Sequence, residues 1–137
     1  MIIYIDENMP PNLAVGLNTL QTPLNYKMGF DVEVKSIRTA FGQGIKDEEW
    51  IPLAGKENAC IITQDFNIQR LRHQKVLYEE NKLGMFFLRA PSKKKGLSYW
   101  EMVELCVDRW MQILDIAHNI DRPFSYRCSS KRPFEKL

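Results

Sequence analysis

Short apolar runs alternate along the chain with longer segments in which apolar residues recur every three or four positions. Runs of this length are typical of strands buried on both faces of a parallel sheet. They lie at Ile2–Ile5, 59–63 and 85–88. A weaker strand is predicted at Val32 and Val34, with Ile37 as its furthest extension. The alternation across Phe124–Cys128 predicts a last edge strand.

Helices are predicted between these strands. Pro10 and Pro11 open the first helix, because a missing N–H costs little in the first turn, and Pro23 is expected just after the helix ends. The second helix begins at Asp47, and Pro52 fits it only within the first turn. The third follows Asp65 and runs to about residue 81. Its N-cap is predicted at position 65 or 67.

The last helix begins at a capping box formed by Ser98 and Glu101. Its predicted core stripe recurs at spacings of three and four and consists of Trp100, Val103, Val107, Trp110, Leu114 and Ala117. Its other faces are apolar as well, through Met102, Leu105, Cys106, Met111 and Ile113. We therefore expect this helix to be deeply buried or shared with another chain.

The alternation of strands and helices predicts an α/β fold with a mostly parallel central sheet flanked by helices. With 137 residues, 45% hydrophobic and 26% charged, the chain is long enough for one domain with its own core. No stretch approaches the roughly 18 apolar residues of a membrane span. The three cysteines show no C-x-x-C spacing, which favours a reduced, cytoplasmic protein.

The net charge of +2 conceals two halves of opposite sign. Residues 1–66 contain five Lys and Arg against nine Asp and Glu, a net charge of −4. Residues 67–137 contain fourteen against eight, a net charge of +6. This division is consistent with one region that holds a cation and another that meets an anionic partner. It is also consistent with two solvated surfaces.

Carboxylates stand at the predicted carboxyl ends of two buried strands. Asp6 and Glu7 follow the first strand, and Asp65 follows the run at 59–63. Ligands of open parallel sheets bind at this edge, where neighbouring strands are about 5 Å apart. Acids this close repel each other unless a cation lies between them, and oxygen ligands favour Mg²⁺ or Mn²⁺. Asp47 begins a helix that can face the same edge.

Each acid also has a structural explanation. Asp65 could cap the helix that follows it, and Asp6 and Glu7 could belong to an ordinary loop. Three acids would stabilise the dipole of the second helix: Asp47, Glu48 and Glu49. A shared metal site is favoured because the acids recur at corresponding positions of the predicted topology.

Three blocks in this order resemble a PIN-like domain. They are residues 5–10 (IDENMP), 47–50 (DEEW) and 61–65 (IITQD), and the strand at 86–89 fits as well. The resemblance is greatest to small prokaryotic PIN-like proteins that include toxins of type II toxin–antitoxin pairs. It runs from residue 1 to about residue 90. It implies a single PIN-like domain over 1–137, in which 91–137 form a basic loop, a long amphipathic helix and a tail.

The resemblance implies a Mg²⁺- or Mn²⁺-dependent endoribonuclease that leaves a 5′-phosphate and a 3′-hydroxyl. By matching position, Asp6, Asp47 and Asp65 would be metal ligands and catalytic acids, and Glu7 a further catalytic acid. Outer-shell roles are implied for Glu48, Glu49, Thr63 and Asn67. Many relatives have an acid at the position of Asn67, so one ion is expected rather than two. The alternative is a catalytically weak module that binds RNA or a protein.

The basic half offers a path for RNA. Phosphate contacts are predicted for Arg70, Arg72, Lys93, Lys94, Lys95, Arg127, Lys131 and Arg132, all of which could also be solvated surface. Tyr126 and Phe134 could stack on bases or face a core. A toxin-like protein would have an antitoxin or a second copy as partner. A receiver-like phosphoacceptor is disfavoured, because Arg89 rather than Lys ends a later strand.

Overall fold

The computed structural model describes residues 1–65, 68–90 and 95–137, except for the side chains at 65 and 68–73. The strands are β1 (Ile2–Ile5), β2 (Glu33–Ser36), β3 (Cys60–Asp65), β4 (Gly84–Arg89), β5 (Phe124–Cys128) and β6 (Glu135–Lys136). The helices are α1 (Pro11–Met28), α2 (Ile37–Phe41), α3 (Asp47–Lys56), α4 (Ile68–Glu80) and α5 (Tyr99–Asn119).

The strands form one sheet in the order β2-β1-β3-β4-β5-β6. All neighbours are parallel except β5 and β6, so the predicted α/β class with a mostly parallel sheet is confirmed. The chain leaves β1 toward β2 on one side and leaves β3 toward β4 on the other. In such sheets, ligands bind at the carboxyl ends of the two strands where the connections change direction. Here those strands are β1 and β3.

Alternate residues of the central strands enter two different cores. Ile3 and Ile5 of β1 pack in the cluster that contains α1 and α5, whereas Tyr4 packs in the cluster that contains α3 and α4. A strand turns successive side chains to opposite faces, so a strand covered on both faces needs a continuous apolar run. The apolar runs in the sequence have this origin.

Helix α1 is longer than predicted. It continues to Met28 with Pro23 inside it, whereas the sequence placed Pro23 after its end. The helix ends where Gly29 adopts a left-handed conformation with φ of 67°. Asn25 in the last turn donates to Val32 O over 2.9 Å and accepts from Val32 N over 3.2 Å. These contacts hold the last turn in place although Pro23 removes one helical hydrogen bond.

Two further local predictions are wrong. Pro52 is the sixth residue of α3, beyond the first turn to which the sequence confined it. Trp50 and Ile51 beside it are buried, and this burial outweighs the hydrogen bond that proline removes. Ile37 begins α2 instead of ending β2, and its side chain is buried against the α3 side of the sheet.

The core face of α5 has a different phase from the predicted stripe. Trp100 and Val107 are 72% and 51% exposed. The buried residues are Met102, Leu105, Cys106, Trp110, Ile113, Leu114 and Ala117. Both faces are apolar, so spacing alone did not decide which one meets the sheet. The predicted capping box is confirmed, with Ser98 Oγ accepting from Glu101 N over 3.2 Å.

The strand predicted at Phe124–Cys128 exists as β5 but is not an edge strand. It pairs with β4 on one side and with β6 on the other. Strand β6 consists of Glu135 and Lys136, both exposed, so no apolar alternation predicted it. Over the described ranges, every helix is too short or too polar to cross a membrane.

Gly84 of β4 pairs with Cys60 of β3 and with Phe124 of β5. A Cβ atom at this position would lie 2.8 Å from Phe124 Cε2 and 2.9 Å from Cys60 Sγ, and both of those residues are buried. We expect Gly84→Ala to lower the free energy of unfolding by about 1–3 kcal/mol through overpacking, as measured by urea denaturation.

Gly16→Ala is the matched control. A Cβ atom at Gly16 in α1 would meet nothing within 4 Å. Since alanine favours a helix more than glycine does, the free energy of unfolding should rise by about 0.5–1 kcal/mol. Equal stability of Gly84→Ala and the wild type would contradict the close approach at β4.

Candidate functional site

Asp6 lies directly after β1, and only 6% of the residue is exposed. Its backbone N–H donates to Ile62 O over 2.9 Å, which extends the contact between β1 and β3 by one residue. Thr63 Oγ1 donates to Asp6 Oδ2 over 2.6 Å, and the N–H of Glu7 donates to Asp6 Oδ1 over 2.8 Å. The carboxylate is therefore held by both strands at their carboxyl ends.

Gln64 connects the loop after β1 to the segment before α5. Its Nε2 donates to Asn8 O over 2.9 Å, and its Oε1 accepts from Leu97 N over 2.9 Å. Thr63 Oγ1 also lies 3.5 Å from Asn8 Oδ1. Asn8 and Gln64 were not predicted as site residues, although Gln64 directly precedes the predicted ligand Asp65 in β3. Together these residues bring polar side chains to the edge around Asp6.

Strand β3 ends at Asp65, whose backbone pairs with Arg89 of β4. The register aligns Ile5 with Ile62, so the ends of β1 and β3 are neighbours, which is the condition under which the acids after the two strands lie at one site. The side chain of Asp65 lies outside the described part of the chain, as does Asn67. Their metal roles stay predictions.

Glu7 connects the end of β1 to the loop before α3. Its Oε1 accepts from Gly44 N over 2.6 Å, and its carbonyl oxygen accepts from Arg38 Nη2 over 2.9 Å. Gly44 has a φ of 75°, a conformation that favours glycine. The Glu7 carboxylate thus lies beside Asp6 in sequence but is directed to this loop.

Asp47 begins α3, and its carboxylate connects α3 to α4. Oδ1 accepts from Trp50 Nε1 over 2.9 Å, and Oδ2 accepts from Gln74 Nε2. The same Gln74 side chain accepts from Tyr78 Oη over 2.6 Å through its Oε1. Both oxygens of Asp47 therefore make structural contacts, and its role as a metal ligand stays a prediction. Its neighbours in the same turn are exposed: Glu48 and Glu49.

The side-chain oxygens at the carboxyl edge are ligand atoms that suit a hard cation. Within the described residues, no three Asp, Glu, His or Cys side chains converge to hold a metal, but that part of the chain excludes the carboxylate of Asp65. The described oxygens belong to Asp6, Thr63 and Asn8. A carboxylate, a hydroxyl and an amide oxygen are ligand types of Mg²⁺ and Mn²⁺ rather than of thiophilic metals. The donor chemistry therefore fits such an ion.

The thiols lie in the apolar core. Cys60, Cys106 and Cys128 are free and buried. Burial raises the pKa of Cys106 to about 12 and that of Cys128 to about 11, although the Arg109 guanidinium opposes the rise at Cys128. Cys106 and Cys128 are therefore protonated at neutral pH and are poor nucleophiles or metal ligands.

The predicted RNA contacts fall into two groups. Lys93 and Lys94, and the side chains of Arg70 and Arg72, lie outside the described part of the chain. Lys95 is exposed, whereas Arg127, Lys131 and Arg132 line a cavity beyond the ends of β4 and β5.

Tyr126 and Phe134 contact the core rather than forming a free stacking platform. The ring of Tyr126 lies edge-on to Phe124 with 5.6 Å between centroids, and Phe134 lies 5.4 Å from Phe86 in the same manner. Both are partly buried against the cluster that contains α1 and α5.

Comparison with known families agrees with this architecture. A family model described as a PIN like domain matches residues 1–90. The chain belongs to the PIN-like domain family. PIN-like domains are generally nucleases and typically bind metal. A search of curated proteins gives no significant match. A search of solved structures gives none either.

The match contains β1 to β4 of the PIN-like domain, and with them Asp6, Asp47 and Asp65. Residues after 90 extend the same sheet, because β5 pairs with β4 and α5 packs in the same cluster as α1. The family match does not distinguish the toxin branch from other PIN-like proteins. The toxin role stays a prediction.

The contacts of Asp47 predict a stability effect that its neighbour lacks. Asp47→Asn places an amide donor where Trp50 and Gln74 both donate, so we expect the free energy of unfolding to fall by about 1–3 kcal/mol more than in a matched control. The measurement is urea denaturation in EDTA.

Glu48→Gln is that control, because it removes the same charge from the same helical turn. It should lose only the interaction with the helix dipole, about 0.3–1 kcal/mol. If the two variants were equally stable, the contact between α3 and α4 through Asp47 would be unimportant.

Proposed function

We propose that the protein is a metal-dependent ribonuclease that hydrolyses RNA phosphodiester bonds at the carboxyl edge of β1 and β3. The observation that carries this proposal is the buried carboxylate of Asp6, which Thr63 of the neighbouring strand holds in place. It lies at the point where the connections of a parallel sheet change direction, which is where such folds bind ligands. Membership in the PIN-like family supports the same class of activity.

In this proposal Asp6 and Asp65 hold one Mg²⁺ or Mn²⁺ ion, and Asp47 is the third predicted ligand of that ion. Such an ion activates water and neutralises charge on a phosphate oxygen. The chain itself orients the Asp6 carboxylate before RNA binds, since Thr63 and the N–H of Glu7 each donate to one of its oxygens. Glu7, whose Oε1 accepts from Gly44 N in the described structure, is the candidate acceptor of a proton from water through its other carboxylate oxygen.

A partner protein is part of the proposal as well. Three apolar side chains of α5 are exposed, at 72% for Trp100, 51% for Val107 and 52% for Met111. Exposed apolar side chains on one helix are typical of a surface that meets another chain. An antitoxin would cover such a surface if the protein is the toxin of a type II pair, and a second copy is the other candidate.

Asn67 favours a second candidate function. An amide at this position contributes one negative charge fewer than an acid would, which weakens a two-metal site. The chain would then be a PIN-like module that binds RNA or a protein and cleaves poorly. Retained metal binding without turnover would distinguish this module from the ribonuclease.

Cleavage of a panel of structured RNAs tests the ribonuclease directly. We expect the wild type to cleave with Mg²⁺ or Mn²⁺ and not with EDTA, and Asp6→Asn to lower the initial rate by about 100-fold or more. Asp108→Asn, at an exposed position of α5, should cleave at the wild-type rate. Unimpaired cleavage by Asp6→Asn would place the chemistry elsewhere.

Metal binding can be measured without turnover. A ligand that binds only the folded state stabilises it by about 2.7 kcal/mol at one hundred times its Kd. We therefore expect Mn²⁺ to raise the Tm of the wild type, and to leave the Tm of Asp6→Asn and Asp65→Asn unchanged. A rise without any RNA cleavage would favour the weak module, and an equal rise in all three proteins would contradict the site.

A further inference from the structure

A cavity of about 280 Å³ lies beyond the carboxyl ends of β4 and β5. Four cationic residues line it: Arg89, Arg127, Lys131 and Arg132. Among its described lining residues, Glu135 is the one acid. Arg89 is the backbone partner of Asp65, so the cavity continues the edge that contains the candidate metal site.

The turn at 129–132 forms one wall of the cavity and is held in place from α5. Ser129 N donates to Arg132 O over 3.0 Å, and Arg132 N donates to Ser129 Oγ over 3.1 Å. Arg109 Nη2 donates to Ser129 O over 3.1 Å and to Arg132 O over 3.2 Å. These contacts fix the backbone of the turn without using the charged ends of Lys131 and Arg132. Arg109 is therefore a positioning residue for the cavity.

Three of the four cationic residues at the cavity form no salt bridge in the described part of the chain. These three are Arg89, Lys131 and Arg132, and Glu135 lines the same cavity. Like charges gathered in a concave surface raise the local concentration of anions. Arginine also matches a phosphate group through paired N–H donors.

We propose that this cavity is a phosphate-binding site that takes a backbone phosphate of the nucleic-acid strand cleaved at Asp6. This proposal rests on the proposed ribonuclease function, because the cavity and the candidate metal site would bind the same RNA strand. From the β1–β3 pair to the β4–β5 pair is two strand spacings, or about 10 Å. A single strand laid along this edge contacts both sites. The cavity therefore holds the RNA while it is cleaved at the candidate metal site beside Asp6.

Binding of a labelled single-stranded RNA, followed by fluorescence anisotropy in EDTA, tests the cavity without cleavage. We expect Arg89→Ala and Lys131→Ala each to weaken binding about fivefold at 0.1 M salt. Each should also reduce the slope of log K against log salt concentration by about 0.7, the value for one phosphate of a single strand. Lys56→Ala, an exposed lysine in the last turn of α3 at the opposite edge, should change neither quantity.

Glu135→Gln tests the sign of the effect. This substitution removes the carboxylate that shares the cavity with the four cations, so RNA binding should tighten by about twofold to fivefold. Damage to the fold would weaken binding instead, so a gain of affinity is specific to the electrostatics of the cavity. Weaker or unchanged binding by Glu135→Gln would overturn the proposal.

Competition by inorganic phosphate identifies the source of the phosphate group. If Arg89→Ala and Lys131→Ala bind RNA like the wild type, the proposal is wrong. The proposal is also wrong if the two variants lose only the binding of inorganic phosphate and still bind RNA, because the cavity would then be a site for the free ion. Because this assay needs no cleavage, an inactive protein that binds RNA through the cavity would refute the ribonuclease alone. Active protein with unchanged RNA affinity in both variants would refute the cavity alone.

Discussion

Parallel pairing between β1 and β3 is the contact on which the candidate site depends. The hydrogen bond from Asp6 N to Ile62 O extends this pairing by one residue and brings the Asp6 carboxylate beside Thr63. Apolar side chains on both faces bury the two strands, so their relative register is fixed by two cores at once. Since the connections leave these strands in opposite directions, their carboxyl ends are open to a ligand.

Asp6 and Asp47, two of the three predicted metal ligands, have their hydrogen-bond donors in different parts of the fold. A buried carboxylate is costly unless donors compensate for lost water, and Asp6 has them in Thr63 and the N–H of Glu7. These donors come from the strand ends, so they orient Asp6 at the edge. Asp47 has its donors in Trp50 and Gln74, which belong to the contact between α3 and α4. From sequence position alone, both acids were predicted to be metal ligands.

Local chemistry explains which features the sequence could predict. Apolar runs identified β1, β3 and β4, and the Ser98 capping box identified the start of α5, because both signals lie within a few residues. The course of α1 through Pro23 and the buried face of α5 depend on distant partners. One such contact joins Gln21 and Trp110, where Trp110 Nε1 donates to Gln21 Oε1 over 2.7 Å. The turn at 129–132 likewise depends on a guanidinium from α5.

The opposite charges of the two halves of the chain meet at one edge of the sheet. Strand order places the ends of β1 and β3 beside those of β4 and β5, so the backbone of Asp65 pairs with that of Arg89. Without a bound cation, negative charge at the carboxyl ends of β1 and β3 repels a phosphodiester. The Lys and Arg residues beyond the ends of β4 and β5 attract it. In the proposed ribonuclease, affinity for RNA and chemistry on RNA would therefore reside at the ends of different β-strands. This division allows a strand to be held whether or not the acids carry a metal.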